Sequence, residues 1–186
     1  MKHSIEQSLN TLNSGGIILY PTDTIWGIGC DATNSFAIRK IYELKNREEK
    51  KSMILLVSDE SMVEEYVSNP SYKILAYLSQ QNRPTTAIYD NAIHLPDILI
   101  NTDKTIAIRI TNDQFCKTLI RQFGKPLIST SANISGEPYP QAFSLISDAI
   151  KKGVDYIVQH RQDDHSPNKP SSIIRLNGNN EIEVMR

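Results

Sequence analysis

The chain is most easily bounded by what it lacks. It has two cysteines, Cys30 and Cys116, far apart in sequence. That spacing offers no disulfide framework and suits free thiols in a reducing cytoplasm. It has no excess of either charge: 20 Lys and Arg stand against 21 Asp and Glu, a formal net charge of −1. A dedicated nucleic-acid binder is usually plainly basic, because phosphate neutralisation supplies most of its affinity. No apolar run approaches the length of a membrane span. The opening segment, MKHSIEQSLNTLNSGG, is polar and helical in pattern, unlike a secretory leader. There is no repeat, heptad or low-complexity tract. The sequence G-x-x-x-x-G-K-[ST] is missing, so there is no P-loop, and WGIGCD carries only the first two glycines of G-x-G-x-x-G. No G-x-S-x-G elbow occurs. The four histidines, His3, His94, His160 and His165, have no metal-ligand spacing. These absences argue against secreted disulfide scaffolds, membrane spans, serine hydrolases and zinc sites.

What remains is an ordinary globular composition, 39% hydrophobic and 22% charged over 186 residues, enough for one good core. Helical and strand patterns alternate. Residues 4 to 13 read as a helix stopped by Gly15 and Gly16, and GGIILY as a buried strand. NSFAIRKIYELK has a cap candidate at Asn34 or Ser35. MILLV reads as a buried strand, SDESMVEEYV as a helix capped by Ser58, and NPSYKILAYLSQQ as a helix with Pro70 just inside its start. TTAIY and TIAIRI read as strands, NDQFCKTLIRQFG as a helix closed by Gly124, and PLIST as a strand. QAFSLISDAIKKG reads as one further helix, and DYIV, SSIIRL and EIEVM as closing strands. Alternation of this kind predicts one α/β domain spanning residues 1–186, an open twisted mixed sheet with flanking helices. HRQDDHSPNKPSS, residues 160 to 172, is the one long polar loop and is expected to act as a flap.

Three polar segments follow strand-like runs: PTDTIWG, STSANISG and KPSSIIR. Ligands of open α/β sheets collect beyond strand ends, where loops present hydroxyls and backbone groups. LKNREEKKS places Lys45, Arg47, Lys50 and Lys51 within seven residues. Such a run is either a solvated turn or a cationic claw for polyphosphate. STSANISG is either a plain Asn/Ser/Gly turn or a grip of hydroxyls and an amide on phosphate or a small polar substrate. Arg109 stands inside the apolar strand TIAIRI, on the same face as Ala107 if the pattern alternates. It is either outward-facing or a buried cation that needs an anion.

In this order and spacing the segments resemble the YrdC-like family of threonylcarbamoyl-AMP synthases, in its short form without an extra C-terminal domain. The family signature of K-x-R followed by S-x-N is matched by Lys45-Asn46-Arg47 and Ser131-Ala132-Asn133. YPTDTIWGIGCDA, AIRIT, PSSIIR and the closing EVMR resemble its other motifs, and the likeness covers almost the whole chain. The resemblance implies a cytoplasmic enzyme making threonylcarbamoyl-adenylate and pyrophosphate from L-threonine, bicarbonate or CO2, and ATP with Mg2+. It implies a product passed to a tRNA threonylcarbamoyl transferase complex for the adenosine at tRNA position 37, with at most weak RNA contact. By resemblance, Lys45 and Arg47 are catalytic. They face the ATP phosphates with Lys51, Ser131 and Asn133, while Thr105, Tyr139 and Arg186 hold the nucleotide. Thr22, Thr24, Trp26, Arg109 and Ser172 are implied on the threonine side, with Arg109 pairing the carboxylate and Trp26 walling the pocket.

Three features depart from the family pattern. Glu48 follows K-x-R where Pro is usual, with Glu49 after it; Asp23 stands for the commoner Glu; and NRPTTAIY lacks the W-P-G-P lead-in. They lean toward the YciO-like subgroup. A hydrogenase-maturation relative is normally embedded in a much longer chain with acylphosphatase and zinc-finger parts. A structured-RNA-binding module is the third reading, distinguished by salt-sensitive RNA binding without pyrophosphate release.

Overall fold

The computed structural model describes residues 1–48, 53–166 and 169–185. Lys51 and Arg186, expected at the phosphates and the nucleotide, lie outside the described residues, as do Glu49 and Lys50.

The elements run α1 (Lys2–Asn13), β1 (Ile18–Tyr20), β2 (Gly27–Gly29), α2 (Ser35–Leu44), β3 (Ile54–Val57), α3 (Glu60–Tyr66), α4 (Tyr72–Ser79) and β4 (Thr85–Tyr89). Then follow β5 (Ile106–Ile110), α5 (Gln114–Phe123), β6 (Leu127–Ser131), α6 (Asp148–Gly153), β7 (Tyr156–Ile157), β8 (Ser172–Leu176) and β9 (Ile182–Val184). The strands form one sheet in the order β7-β1-β2-β6-β3-β5-β4-β8-β9. It is mixed: β1–β7, β3–β5 and β4–β8 are parallel and the other neighbours antiparallel. The α/β mixed sheet with flanking helices is thus as the alternating pattern predicts. No helix among the described residues is long and apolar enough to cross a membrane. Both cysteines are buried and free.

Local chemistry accounts for most boundaries. Asn34 caps α2, its Oδ1 accepting from the backbone N–H of Phe36 and Ala37. The face of α2 that carries Ala37, Ile38, Ile41 and Tyr42 is buried. Asp113 caps α5 by accepting from Cys116 N, and Gly124 closes it in the left-handed region at φ 71°.

Three readings need correction, and one strand has no counterpart in the sequence pattern. GIG, to which that pattern assigns no element, forms β2, fully buried between β1 and β6. Glycine is required there by close approach. A Cβ on Gly29 would sit 2.5 Å from Ile128 O and 2.7 Å from the Tyr20 ring. α3 is capped by Asp59 and not by Ser58; the carboxylate accepts from Met62 N. Pro70 precedes the α4 cap, Ser71, and so lies outside the helix. QAFSLISDAIKKG breaks into a 3-10 turn at Phe143–Leu145 and α6, because Ser147 accepts from Ile150 N and starts a new helix.

Candidate functional site

A cavity of about 350 Å³ opens on one face of the sheet. Its floor comes from alternate residues of four strands: Thr86 and Ile88 on β4, Ala107 and Arg109 on β5, Ser129 and Ser131 on β6, and Ser171 and Ile173 around β8. Period-two alternation puts each pair on a common face. The β1–β2 turn contributes Thr24, Ile25 and Gly27, and Arg47 and Tyr139 close the rim.

At one end lies Arg109, 3% exposed. It is the buried cation of the two sequence alternatives. Its Nη2 is 3.2 Å from Asp23 Oδ1, but the alignment is poor: Nε and Nη2 make no hydrogen bond within the protein. Asp23 is held by its other oxygen, which accepts from Thr111 Oγ1 and Asn112 N. A buried guanidinium with donors to spare is a receptor for a planar oxyanion such as a carboxylate.

Beside it, the Thr22 and Thr24 hydroxyls are 2.9 Å apart. Thr22 Oγ1 donates to the Ile25 carbonyl at 2.8 Å, which can only accept. Its single proton is therefore used, and the proton between the two threonines belongs to Thr24. Thr24 Oγ1 is left with acceptor lone pairs, suited to a substrate N–H or O–H. Thr22 supports Thr24 from behind and does not line the cavity.

The opposite end is built by the end of α2. Lys45, Asn46 and Arg47 form its C-terminal cap: Asn46 N bonds Glu43 O, Arg47 N bonds Tyr42 O, and Asn46 sits in the left-handed region at φ 48°. This is the Schellman pattern, and Asn tolerates the left-handed position well. The cap sends Arg47 to the cavity rim. Burial, with a smaller opposing effect of Tyr42, lowers the Arg47 pKa from its usual value. Glu48 is exposed, turned to solvent.

Lys45 is used differently from a claw residue. It is 1% exposed and does not line the cavity. Its ammonium donates to the Ser131 carbonyl and, at 2.6 Å, to the Asn133 carbonyl. Its own carbonyl accepts from Ser135 N at 2.8 Å. The lysine is thus a strut between α2 and the S-A-N turn. Burial, assisted by the charge of Arg47, lowers its pKa from the usual 10.5 to about 8. The amide of Asn133 is also turned inward, Nδ2 donating to Ile134 O at 3.0 Å and Glu137 O at 2.6 Å.

Beyond Thr22, Lys45 and Asn133, three further expected residues do not line this cavity. Trp26 falls between Ile25 and Gly27 and faces the other way. It is 6% exposed and packs on Phe143, ring centroids 4.9 Å apart. Ser172 starts β8 opposite Thr85, on the face away from the cavity, so its neighbour Ser171 is the lining serine. Thr105 borders a second cavity of about 330 Å³ with Tyr89, Asn101, Asp103 and Arg175. Its hydroxyl donates to Asp103 Oδ1 at 2.7 Å and accepts from Asn101 Nδ2 at 2.9 Å. Ile88 lines both cavities and forms the wall between them.

Sequence reading missed the Thr86–Ser171 hydroxyl pair, 2.8 Å apart on the floor. The signal was available in strand parity: TTAIY and PSSIIR each carry two adjacent hydroxyl residues, and one of each pair must face in. Among the described residues no three His, Cys, Asp or Glu side chains gather to hold a metal ion.

Residues 10–186 match the sequence model of the Sua5/YciO/YrdC family, described as "Telomere recombination". A Pseudoalteromonas translucida protein named threonylcarbamoyl-AMP synthase is 35% identical over 137 residues, 72% of this chain and 73% of its own. The fold superposes on P. abyssi Sua5 complexed with L-threonine at TM-score 0.85 and 20% identity, covering 98% of this chain; the chain spans 53% of that protein's length. It also superposes on E. coli YciO at TM-score 0.82 and 26% identity, covering 100% of this chain and 89% of that one.

Proposed function

The chain belongs to the Sua5/YciO/YrdC family, and from that premise we propose that it is a threonylcarbamoyl-AMP synthase. It joins L-threonine, CO2 from bicarbonate, and ATP into threonylcarbamoyl-adenylate and releases pyrophosphate. The observation that carries this reading is one cavity with two unlike ends. A buried Arg109 with unused donors and an acceptor-only Thr24 stand at one end, and Arg47 with the Ser131 turn at the other.

The threonine carboxylate takes the free donors of Arg109, completing a planar pairing that Asp23 leaves unfinished. Thr24 Oγ1 accepts from the substrate's amino or hydroxyl group. The amine attacks CO2, loses a proton and becomes a carbamate. A carbamate oxygen then attacks the α-phosphorus, and the bond from that phosphorus to the bridging oxygen breaks as pyrophosphate leaves. No protein nucleophile is required. The chain supplies alignment, and positive charge where phosphate charge accumulates. Arg47 supplies that charge at the rim, while Lys45 fixes the S-A-N turn from beneath. Mg2+ enters as part of the nucleotide substrate and shares the charge of the leaving pyrophosphate. The nucleoside half crosses Ile88 into the second cavity, which brings it to Thr105. The product goes on to a transferase that modifies tRNA.

Pyrophosphate release from ATP and Mg2+ tests this, with and without L-threonine and bicarbonate, beside Lys45→Ala and Arg47→Ala. Release that needs both co-substrates and collapses in the variants is expected. Binding of ATP with no release would overturn the synthase reading. It would favour a YciO-like activity, the alternative motivated by the near full-length likeness to E. coli YciO and by Glu48 after K-x-R.

A further inference from the structure

We infer that Arg161 is a positioning residue for the amino-acid end of the cavity, acting through the Thr22–Asp23–Thr24 turn; this rests on the reading of that end as the threonine site. Arg161 lies in the polar segment after β7 and touches no part of the main cavity. Its backbone is in the left-handed region at φ 62°, a conformation that a non-glycine residue adopts at a cost unless its surroundings hold it. The surroundings do so through the side chain. One nitrogen, Nη2, lies 2.8 Å from Asp113 Oδ2 and 3.4 Å from the Thr22 carbonyl. The side chains of Arg161 and Asp113 are 28% and 8% exposed, so the pair is substantially shielded from water.

Each partner leads back to the site. Asp113 uses its other oxygen to cap α5 through Cys116 N, at 2.9 Å. Its own N–H donates to Thr111 Oγ1, which donates in turn to Asp23 Oδ2. Asp23 is the carboxylate that faces Arg109. On the other branch, the Thr22 carbonyl is fixed by the guanidinium while the Thr22 hydroxyl takes the proton of Thr24 and the Thr24 N–H. A single cation therefore fixes both things the substrate would meet: the lone pairs of Thr24 and the carboxylate that aims Arg109. Around Arg161 the chain makes a turn, Asp164 N bonding Arg161 O at 3.2 Å. The His160 ring lies 5.7 Å from that of Phe115 in α5, so the clamp is anchored on both sides.

Two measurements test this together. Arg161→Ala should raise KM for L-threonine about tenfold, the worth of one charge-assisted hydrogen bond, with KM for ATP within about twofold. Asp113→Asn keeps a cap acceptor for Cys116 N and should shift the same constant, and the double variant should cost less than the two singles added. Arg161→Lys, which keeps the charge, should restore part of the loss and guards against a simple failure to fold. Independently, hydrogen exchange at the Thr24 amide should quicken in Arg161→Ala and recover partly in Arg161→Lys. Equal shifts in both KM values, or unchanged exchange at Thr24 in a folded variant, would overturn the inference. Should wild type release no pyrophosphate, the synthase reading falls by itself. The clamp is then decided by exchange alone, where faster exchange upholds it and unchanged exchange refutes it.

Discussion

The ammonium of Lys45 lies under the Ser131 carbonyl and donates to it, so the two halves of the family signature are bonded to each other before any ligand arrives. The signature lysine holds the S-A-N turn and does not line the cavity. This changes what its removal should do.

Lys45→Met keeps the stem and removes the donor. Its effect on stability should depend on pH. With the folded-state pKa lowered to about 8 from 10.5, both states hold the proton below 8 and the burial cost is fully present. Between 8 and 10.5 the unfolded chain binds more protons, so stability gains with rising pH. Above 10.5 no further change follows. Wild type should therefore gain on Lys45→Met across that window in melts run from pH 7 to 10. Parallel curves would show that the lysine keeps its proton.

Nucleotide binding should couple to the same proton. Phosphates at the rim favour the charged ammonium, so ATP should bind with proton uptake above pH 8. Calorimetry in buffers of different ionisation enthalpy reads this directly. An enthalpy independent of buffer at pH 8.5 counts against it.

Arg109→Lys keeps a charge near Asp23 and loses the planar fork. KM for L-threonine should rise by roughly tenfold or more while KM for ATP stays close to wild type. Arg109→Ala leaves the partly buried Asp23 without its cation, and should also cost stability, up to about 3 kcal/mol because Thr111 and Asn112 still donate to the carboxylate. A KM for L-threonine near wild type in Arg109→Lys would point to charge alone.

Ile88→Trp thickens the wall between the two cavities. If the nucleoside crosses there, the substitution should raise KM for ATP at least about tenfold and leave L-threonine binding untouched. A normal KM for ATP would confine the nucleotide to the first cavity.

Gly29→Ala should destabilise the fold by about 1 to 3 kcal/mol without contacting either substrate. Its Cβ would meet backbone at Ile128 O, which cannot swing aside. A chemical melt of the variant checks the figure.

The order of elements was legible in the sequence because hydrophobic period and caps agree in most segments, as at Asn34, Asp113 and Gly124. β2 was not. Two glycines in three residues carry no strand propensity, and the strand exists only because Tyr20 and Ile128 press on either side. At the site, the motifs lie on loops that line the cavity but do not always name the side chain that faces in. Thr24, Arg47, Arg109, Ser131 and Tyr139 share the cavity, whereas Trp26, just before β2, and Ser172, at the start of β8, are not among its lining. The burial of Lys45 was hidden for another reason. A charge run suggests exposure, but the partners that bury this cation are carbonyls nearly ninety residues away, and backbone acceptors leave no mark in composition.

The Schellman cap on α2 has a consequence for how this sequence can vary. Because Arg47 is aimed by the last turn of a helix, its direction is a function of that helix's residue count. Each residue added or removed turns the end by about 100° and moves it about 1.5 Å along the axis. A single deletion within Ser35–Leu44, on its solvent face and touching no substrate, would swing the guanidinium off the rim with Lys45 and Arg47 both still present. The helix behaves as a ruler, and its length is constrained as tightly as the identity of the residue it delivers.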